Sequence, residues 1–149
     1  MTEALLYAAS RAQHTAQVIR PAIAAGRVLL SDRYVDSSVA YQGGGRALGV
    51  EQILAVNAPA QDGLWPLATV FLDLPHAESL RRRLSSSDPD RIERESEAFF
   101  ARIEEAYRAL IARDPERFLC VDATRSREEI ADEVARRVLA RLMEAERNG

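Results

Sequence analysis

Apolar residues recur every three or four positions through the first part of the chain, which is the period of an amphipathic helix. The pattern begins after Thr2, a helix-capping residue type, and ends at Gly26, a residue type that commonly follows a helix. It predicts a helix over residues 3–26 in which Tyr7 and Arg11 lie on the polar face. The predicted buried stripe of this helix consists of Leu5, Ala9, Ala12, Ala16, Ile19 and Ile23.

Short apolar runs alternate with further helical patterns along the rest of the chain. The runs predict buried strands at residues 28–30, 68–72 and 118–121. Helical spacing predicts helices at residues 37–41, 50–56, 76–84, 92–112 and 126–143, with glycines 43–45 ending the first of these. The last helix opens with a capping box formed by Ser126 and Glu129. Strands that alternate with helices predict an α/β fold with a parallel sheet.

Polar side chains follow the predicted strands directly. Asp32 and Arg33 follow the first strand, Asp73 the second and Asp122 the third. Because ligands of parallel α/β sheets bind beyond the carboxyl ends of the strands, this edge is the candidate functional site. For Asp73 and Asp122 a plain turn or helix-capping role is the alternative.

Composition narrows the class of protein. The chain has 149 residues, of which 47% are hydrophobic and 29% charged, as expected of one globular domain over residues 1–149. No apolar run approaches the ~20 residues of a membrane span, so we expect a cytoplasmic protein without a membrane partner. One cysteine and two histidines exclude an internal disulfide and a zinc site. The net charge of -3 argues against nucleic acid as a partner.

Every one of the 20 basic residues is an arginine. The chain therefore contains no lysine for a Schiff base or for a G-x-x-x-x-G-K-[ST] phosphate-binding loop.

The segment from Ser31 to Gly43, S-D-R-Y-V-D-S-S-V-A-Y-Q-G, resembles the D-R-Y/H-x-x-S-x-x-A-Y-Q-G signature of thymidylate kinases. Residues 5–12, 70–73 and 121–124 resemble other family segments and occur in the family's order. The resemblance implies a nucleoside monophosphate kinase with a parallel-sheet, P-loop NTPase-like α/β fold. It also implies transfer of a phosphoryl group from ATP to dTMP.

The resemblance assigns roles to residues of the predicted site. Tyr7 matches the position that stacks on thymine, and Arg11 the position that hydrogen-bonds it. Ser38 matches a small polar position at the thymine edge, and Tyr41 an aromatic beneath the deoxyribose. Without the signature, Tyr7 and Tyr41 would be interpreted as packing aromatics.

The remaining signature positions concern the phosphate end. Arg33 matches the arginine that grips the monophosphate, which suits the bidentate geometry of a guanidinium. Asp32 matches a carboxylate close to Mg²⁺, contacting the ion through water. Gln42 belongs to the same signature and is assigned to the substrate-binding group.

A second set of residues concerns the ATP side. Residues 81–94 resemble the arginine-bearing lid of such kinases, with Arg82 and Arg91 as candidate catalytic arginines; solvated helix-end charges are the alternative. Asp122 and Ala123 fall in a loop that resembles the adenine-side loop. The implied cofactors are ATP and Mg²⁺.

The family's opening strand and phosphate-binding loop have no counterpart in these residues. The resemblance therefore implies a fold without its first two βα units, roughly 30 residues each, and a chain that is inactive alone. Two alternatives stay open. One is another deoxynucleotide or deoxynucleoside kinase of the same fold. The other is a non-catalytic binding or dimerisation fragment, since the family counterpart of the first helix lies at a homodimer interface.

Overall fold

A computed structural model of the chain describes residues 1–75, 78–79, 81–82 and 95–148. These residues form two compact units, one of residues 1–65 and 96–112 and one of residues 66–95 and 113–149. Within the described part of the chain, none of the helices has the length and apolarity needed to cross a bilayer.

The first unit opens with a nearly continuous helix. Helix α1 spans Thr2–His14, a π-helical turn, π1, spans Thr15–Ile19, and α2 spans Arg20–Ala24. Pro21 has no N–H for the carbonyl one turn earlier, and a widened turn just before it is a common accommodation. The predicted helix is confirmed, whereas the π turn has no signature in the apolar pattern.

The buried stripe of this helix is not the predicted one. The buried residues are Ala4, Ala8, Thr15, Ile19 and Ala22, whereas Leu5 is 52% and Ile23 49% exposed. The buried face of this helix is therefore shifted by about one residue position from the predicted apolar stripe. Small residues occupy it because α4 packs closely against α1.

Two further helical segments complete the amino-terminal part of the first unit. Helix α3, Val35–Ser38, runs into a second π helix, π2, Val39–Gly45, and α4 spans Val50–Gln61. The glycines therefore do not end the helix as predicted. Gly44 and Gly45 lie against Ala106 and Phe99 of α5, Glu97–Arg113, where a side chain would not fit. Helix α4 also runs five residues beyond the predicted end at residue 56 and contains Pro59.

Residues 28–30 do not form the predicted strand. They have no regular secondary structure and no sheet pairing, and Val28 is 63% and Leu30 86% exposed. The apolar run predicted a buried strand, but among the described residues no strand lies beside it to accept its backbone groups.

The second unit contains the other two predicted strands. Strands β1, Thr69–Asp73, and β2, Phe118–Asp122, pair in parallel, with Asp73 opposite Asp122 at their carboxyl ends. Phe118, Leu119 and Val121 are buried, while Cys120 is exposed as a free thiol. The parallel α/β prediction is confirmed by this pair.

Helix α6, Arg127–Asn148, packs on β2. The predicted capping box is present: Ser126 N–H donates to Glu129 Oε2 at 3.0 Å and Glu129 N–H to Ser126 Oγ at 3.3 Å. Of the predicted 76–84 helix, residues 78–79 and 81–82 are described, and these are helical.

Candidate functional site

Arg11 lies at the centre of a polar cluster in the first unit. Its Nη2 donates to the Tyr34 carbonyl at 3.1 Å and to Ser38 Oγ at 2.9 Å, and its Nη1 donates to Asn57 Oδ1. Its guanidinium carbon lies 5.3 Å from the centre of the Tyr34 ring. Burial has the largest effect on the pKa of Arg11 and lowers it. Tyr34 and Asp36 raise this pKa and offset only part of that effect, so the net shift is downward. An arginine stays charged under such a shift, so the cluster holds a partly buried cation.

Tyr34 is itself held from α1. Its hydroxyl lies 3.1 Å from Thr15 Oγ1, which is why a threonine occupies the buried face of π1. Asp36 is also buried, 4% exposed, and its charge raises the pKa of Arg11. Neither Tyr34 nor Asp36 was a candidate from the sequence, although both lie inside the signature segment.

Arg33 occupies a backbone conformation that side chains rarely adopt, with φ of 68°. Its carbonyl accepts a hydrogen bond from Ser31 Oγ at 2.8 Å, and its guanidinium lies 4.8 Å from the centre of the Tyr41 ring. Partial burial lowers the pKa of Arg33, but Tyr41, Tyr107 and Asp32 outweigh it and the net shift is upward. The result is a cation that is partly exposed and directed over an aromatic ring.

The Arg33 side chain is surrounded by aromatic residues. Tyr41 contacts Phe99 edge to face, with ring centres 6.4 Å apart. The Tyr107 hydroxyl lies 3.1 Å from Ser37 Oγ, and burial raises the pKa of that hydroxyl. Tyr107 falls at helical spacing with Phe99, Ile103 and Leu110, and so shares the apolar stripe of α5. Its polar tip on an otherwise apolar stripe is the signal that could have marked it.

The other candidates of the first unit differ in exposure. Tyr7 precedes Arg11 by one turn, and its ring is 45% exposed. Asp32 is exposed, and one carboxylate beside substrate phosphates is a common arrangement for Mg²⁺. Gln42 is buried and donates to Glu3 Oε1 at 2.9 Å, so this amide braces π2 against α1.

The candidates of the second unit meet at the carboxyl ends of the strands. Asp122 accepts hydrogen bonds from the Thr124 hydroxyl at 2.7 Å and from the Thr124 N–H at 2.9 Å, and these bonds lower its pKa. Ala123 is buried and donates its N–H to the Asp73 carbonyl at 2.8 Å. The loop after β2 is therefore held both by its own Thr124 and by the end of β1.

Arg82 is tied to this loop. Its Nη2 donates to the Ala123 carbonyl at 3.2 Å and its Nε to Glu78 Oε1 at 3.0 Å. Hydrogen bonds from Arg81 and Arg82 lower the pKa of Glu78 to about 2. Arg91, the other candidate lid arginine, lies outside the described residues, as do residues 83–94 as a whole.

The predicted residues divide between the two units, and in the first unit the contacts among them join Arg11 to Ser38 and Arg33 to Tyr41. Tyr7, Arg11, Asp32, Arg33, Ser38, Tyr41 and Gln42 belong to the first unit, and Arg82, Asp122 and Ala123 to the second. Among the described residues, His, Cys, Asp and Glu form no group of three or more that could hold a metal ion directly.

Comparison with known proteins agrees with the signature. Residues 1–134 match the family model for thymidylate kinase. Thymidylate kinase of Leifsonia xyli is 50% identical over 94% of this chain and 67% of its own length. Thymidylate kinase of Levilactobacillus brevis is 49% identical over 87% of this chain, and that of Exiguobacterium sibiricum 44% identical over 99%.

The aligned region is only part of these relatives. The chain spans 62% of the length of the Levilactobacillus brevis protein and 69% of that of the Exiguobacterium sibiricum protein. The match nevertheless covers most of this chain, including the whole segment from Ser31 to Gly43. The chain belongs to the thymidylate kinase family, whose fold is that of the P-loop NTPases.

Proposed function

We propose that this chain takes part in the phosphorylation of dTMP by ATP and that its first unit supplies the dTMP site. The observation that carries the proposal is the pair of arginines, Arg11 and Arg33, each beside an aromatic ring in the same unit. Arg11 is partly buried and hydrogen-bonded to neutral acceptors, so it is suited to bind the base. Arg33 is more exposed, so it is suited to bind a phosphate.

The base end of the site consists of Tyr7 and Arg11. A guanidinium has five N–H donors, and the three described bonds of Arg11 leave two for a ligand. These donors suit a pyrimidine carbonyl. Tyr7 offers an exposed ring one turn away on the same helix, where a base can stack.

The phosphate end consists of Arg33 and Asp32, with Tyr41 beneath the sugar. Arg33 can bind a monophosphate through two parallel hydrogen bonds. Asp32 would contact Mg²⁺ through water, and the ion would supply positive charge to the phosphates. The Tyr41 ring lies under the Arg33 guanidinium, where it would crowd a 2′-hydroxyl and favour deoxyribose.

The ATP side is only partly supplied by these 149 residues. Asp122 and Ala123 would border the adenine, and Arg82 would hold that loop to the base of the lid. No lysine and no G-x-x-x-x-G-K-[ST] segment is present to cradle the triphosphate. The residues present therefore do not fit the ATP phosphates, and we expect the chain alone to be inactive.

A homodimer in the cytoplasm is part of the proposal. The outer face of α1, π1 and α2 carries exposed apolar side chains, which a partner helix would cover. These residues are Leu5, Leu6, Val18 and Ile23.

The decisive experiment measures ligand binding and turnover separately. Calorimetry with the full chain should show that dTMP binds more tightly than thymidine, which lacks the phosphate, and more tightly than dCMP. Coupled assays should show no ATP-dependent turnover by the chain, and turnover once the amino-terminal region of a family member, which carries the G-x-x-x-x-G-K-[ST] loop and both missing βα units, is fused before it. Equal binding of dTMP and thymidine would contradict the proposed phosphate site. Turnover by the chain alone, in a preparation free of host kinase, would contradict the inference about ATP.

A further inference from the structure

Asn57 is a fully buried amide on α4, with 0% of its surface exposed. Its Oδ1 accepts from Arg11 Nη1, and its Nδ2 donates to the Ile53 carbonyl at 2.8 Å. Rotating the amide by half a turn would place a donor against the guanidinium and an acceptor against a carbonyl. The helix backbone therefore fixes the amide so that its oxygen faces Arg11.

Three separate parts of the first unit hold the Arg11 guanidinium. Asn57 belongs to α4, Ser38 to α3, and Tyr34 precedes α3. Because these acceptors approach from different elements, the planar group has one orientation that satisfies them all. Its two remaining N–H groups, one on Nε and one on Nη1, then each point in a fixed direction, on different edges of the guanidinium.

The chemistry of the acceptors also matters. A partly buried cation needs hydrogen-bond acceptors, because burial without them is costly. Neither of the bonded side chains nor the Tyr34 carbonyl carries a negative charge. These three acceptors orient the guanidinium, while the nearby buried Asp36 stabilises its positive charge and raises the pKa of Arg11 against the effect of burial. The two remaining N–H groups are then charged donors for a ligand carbonyl.

We propose that Asn57 is a positioning residue for pyrimidine recognition, acting through Arg11. The proposal rests on the proposed function, because it assumes that Arg11 contacts the base. It adds a residue that lies outside the signature and 46 positions from Arg11. Asn57 touches no ligand itself.

The first test needs no ligand. In the full chain labelled with ¹⁵N-arginine, the braced Arg11 should give resolved, slowly exchanging side-chain signals, assigned by their loss in Arg11→Ala. Asn57→Leu, which fills the same space without an acceptor, should abolish them. Gln61→Leu is the matched control, since Gln61 is buried on the same helix with its Nε2 unbonded among the described atoms, and it should leave them intact. Persistence of the signals in Asn57→Leu would overturn the positioning role.

The second test measures affinity for dTMP. Asn57→Leu should weaken binding about tenfold, the effect of losing a hydrogen bond to a charged group. In an Arg11→Ala background the same substitution should have almost no further effect. An equal loss in both backgrounds would show a merely structural role and overturn the proposal.

A chain that shows the Asn57-dependent Arg11 signals but does not bind dTMP would overturn the proposed function and the recognition role together, while the bracing would stand. If Asn57→Leu does not fold, Asn57→Ser carries both tests, because its hydroxyl is too short to reach Nη1. Asn57→Asp keeps an acceptor for Nη1 and should restore the Arg11 signals, whereas its negative charge would pair with the guanidinium, so dTMP affinity is not expected to recover fully. Failure to restore the signals would count against the proposal.

Discussion

Arg33 combines a strained backbone with the side chain that the proposed function needs most. Its φ of 68° lies in the left-handed region, which costs an ordinary residue roughly 1–2 kcal/mol. Strain of this kind persists where the surrounding structure and a functional side chain require it. The backbone and the side chain of Arg33 can therefore be tested separately.

Replacing Arg33 with alanine or with glycine separates the two contributions. Both variants lose the guanidinium, so both should bind dTMP tens of fold more weakly, as expected from about 1.5–3 kcal/mol for a charge-assisted hydrogen bond. Because glycine tolerates positive φ, the free energy of unfolding of Arg33→Gly should be about 1 kcal/mol larger than that of Arg33→Ala. Arg33→Gly should therefore unfold at a higher urea concentration. Calorimetry and urea denaturation measure the two effects.

Arg136→Ala is the control for charge, since Arg136 is exposed on α6, and it should leave dTMP affinity unchanged. Unchanged affinity in Arg33→Ala would mean that the monophosphate is bound elsewhere. Equal stability of the two Arg33 variants would mean that the left-handed conformation costs nothing.

The limits of sequence interpretation are clearest at Arg11. The signature marked Arg11 and Ser38 as site residues, and the structure places them 2.9 Å apart. Asn57 could not be found in this way, because a lone asparagine in a weakly periodic helix has no local signal. Its partner is defined only by tertiary packing. Tyr107 was missed because its spacing matches the apolar stripe of a helix, so its position alone indicates packing.

At the scale of elements, the glycine triplet is a packing surface rather than a helix end. A Cβ on Gly44 would lie 2.8 Å from the Arg102 carbonyl oxygen and 2.7 Å from Ala106 Cβ. The Gly45 carbonyl accepts from Arg102 Nε at 3.1 Å and Nη2 at 2.8 Å. Helix α5 therefore approaches π2 at backbone distance, and this approach sets the position of Tyr41.

Alanine substitutions in the triplet should differ sharply. Gly44→Ala should lower the free energy of unfolding by about 1–3 kcal/mol, the usual cost of overpacking, because a backbone oxygen cannot move aside alone. Gly43→Ala is the matched control, since its Cβ would meet neighbours only at 3.4 Å, and it should change stability by under about 1 kcal/mol. Urea denaturation of the full chain compares them. Equal losses would mean that the close approach to α5 does not stabilise the unit.

The wrong predictions for the glycine triplet and for residues 28–30 have physical causes. Glycine usually ends helices because of its conformational freedom, but here the helix needs its missing side chain. The run at residues 28–30 has the composition of a strand, yet a strand needs a neighbour for its N–H and C=O groups. Strands β1 and β2 were predicted correctly because each has the other as its partner.

At the scale of the whole molecule, the apolar segment at residues 28–30 and the β1–β2 pair should behave differently in solution. Backbone N–H groups of residues 28–30 should exchange within seconds, since the segment has no sheet pairing and both Val28 and Leu30 are exposed. The N–H groups of β2 that bond to β1, on a strand against which α6 packs, should be strongly protected. Hydrogen exchange followed by mass spectrometry on a dilute sample compares both segments in one experiment. Strong protection at residues 28–30 in the dilute chain would contradict the description of this segment.

The family and the fold class were predictable from sequence because a continuous signature and two apolar runs carry them. The arrangement into two compact units was not predictable. Both units draw on residues distant in the chain: α5 joins the first from beyond β1, and β2 joins the second from beyond α5. No local sequence pattern indicates that α5 belongs to the first unit or that β2 belongs to the second.

The exposed thiol of Cys120 on β2 makes the chain unusually simple to label. With no lysine present, the amino group of Met1 is the natural target for an amine-reactive dye, and Cys120 for a maleimide dye. Met1 belongs to the first unit and Cys120 to the second, so each unit carries one fluorophore without any substitution. Energy transfer between the two dyes then follows, in single molecules, how far apart the units are before and after a nucleotide is added.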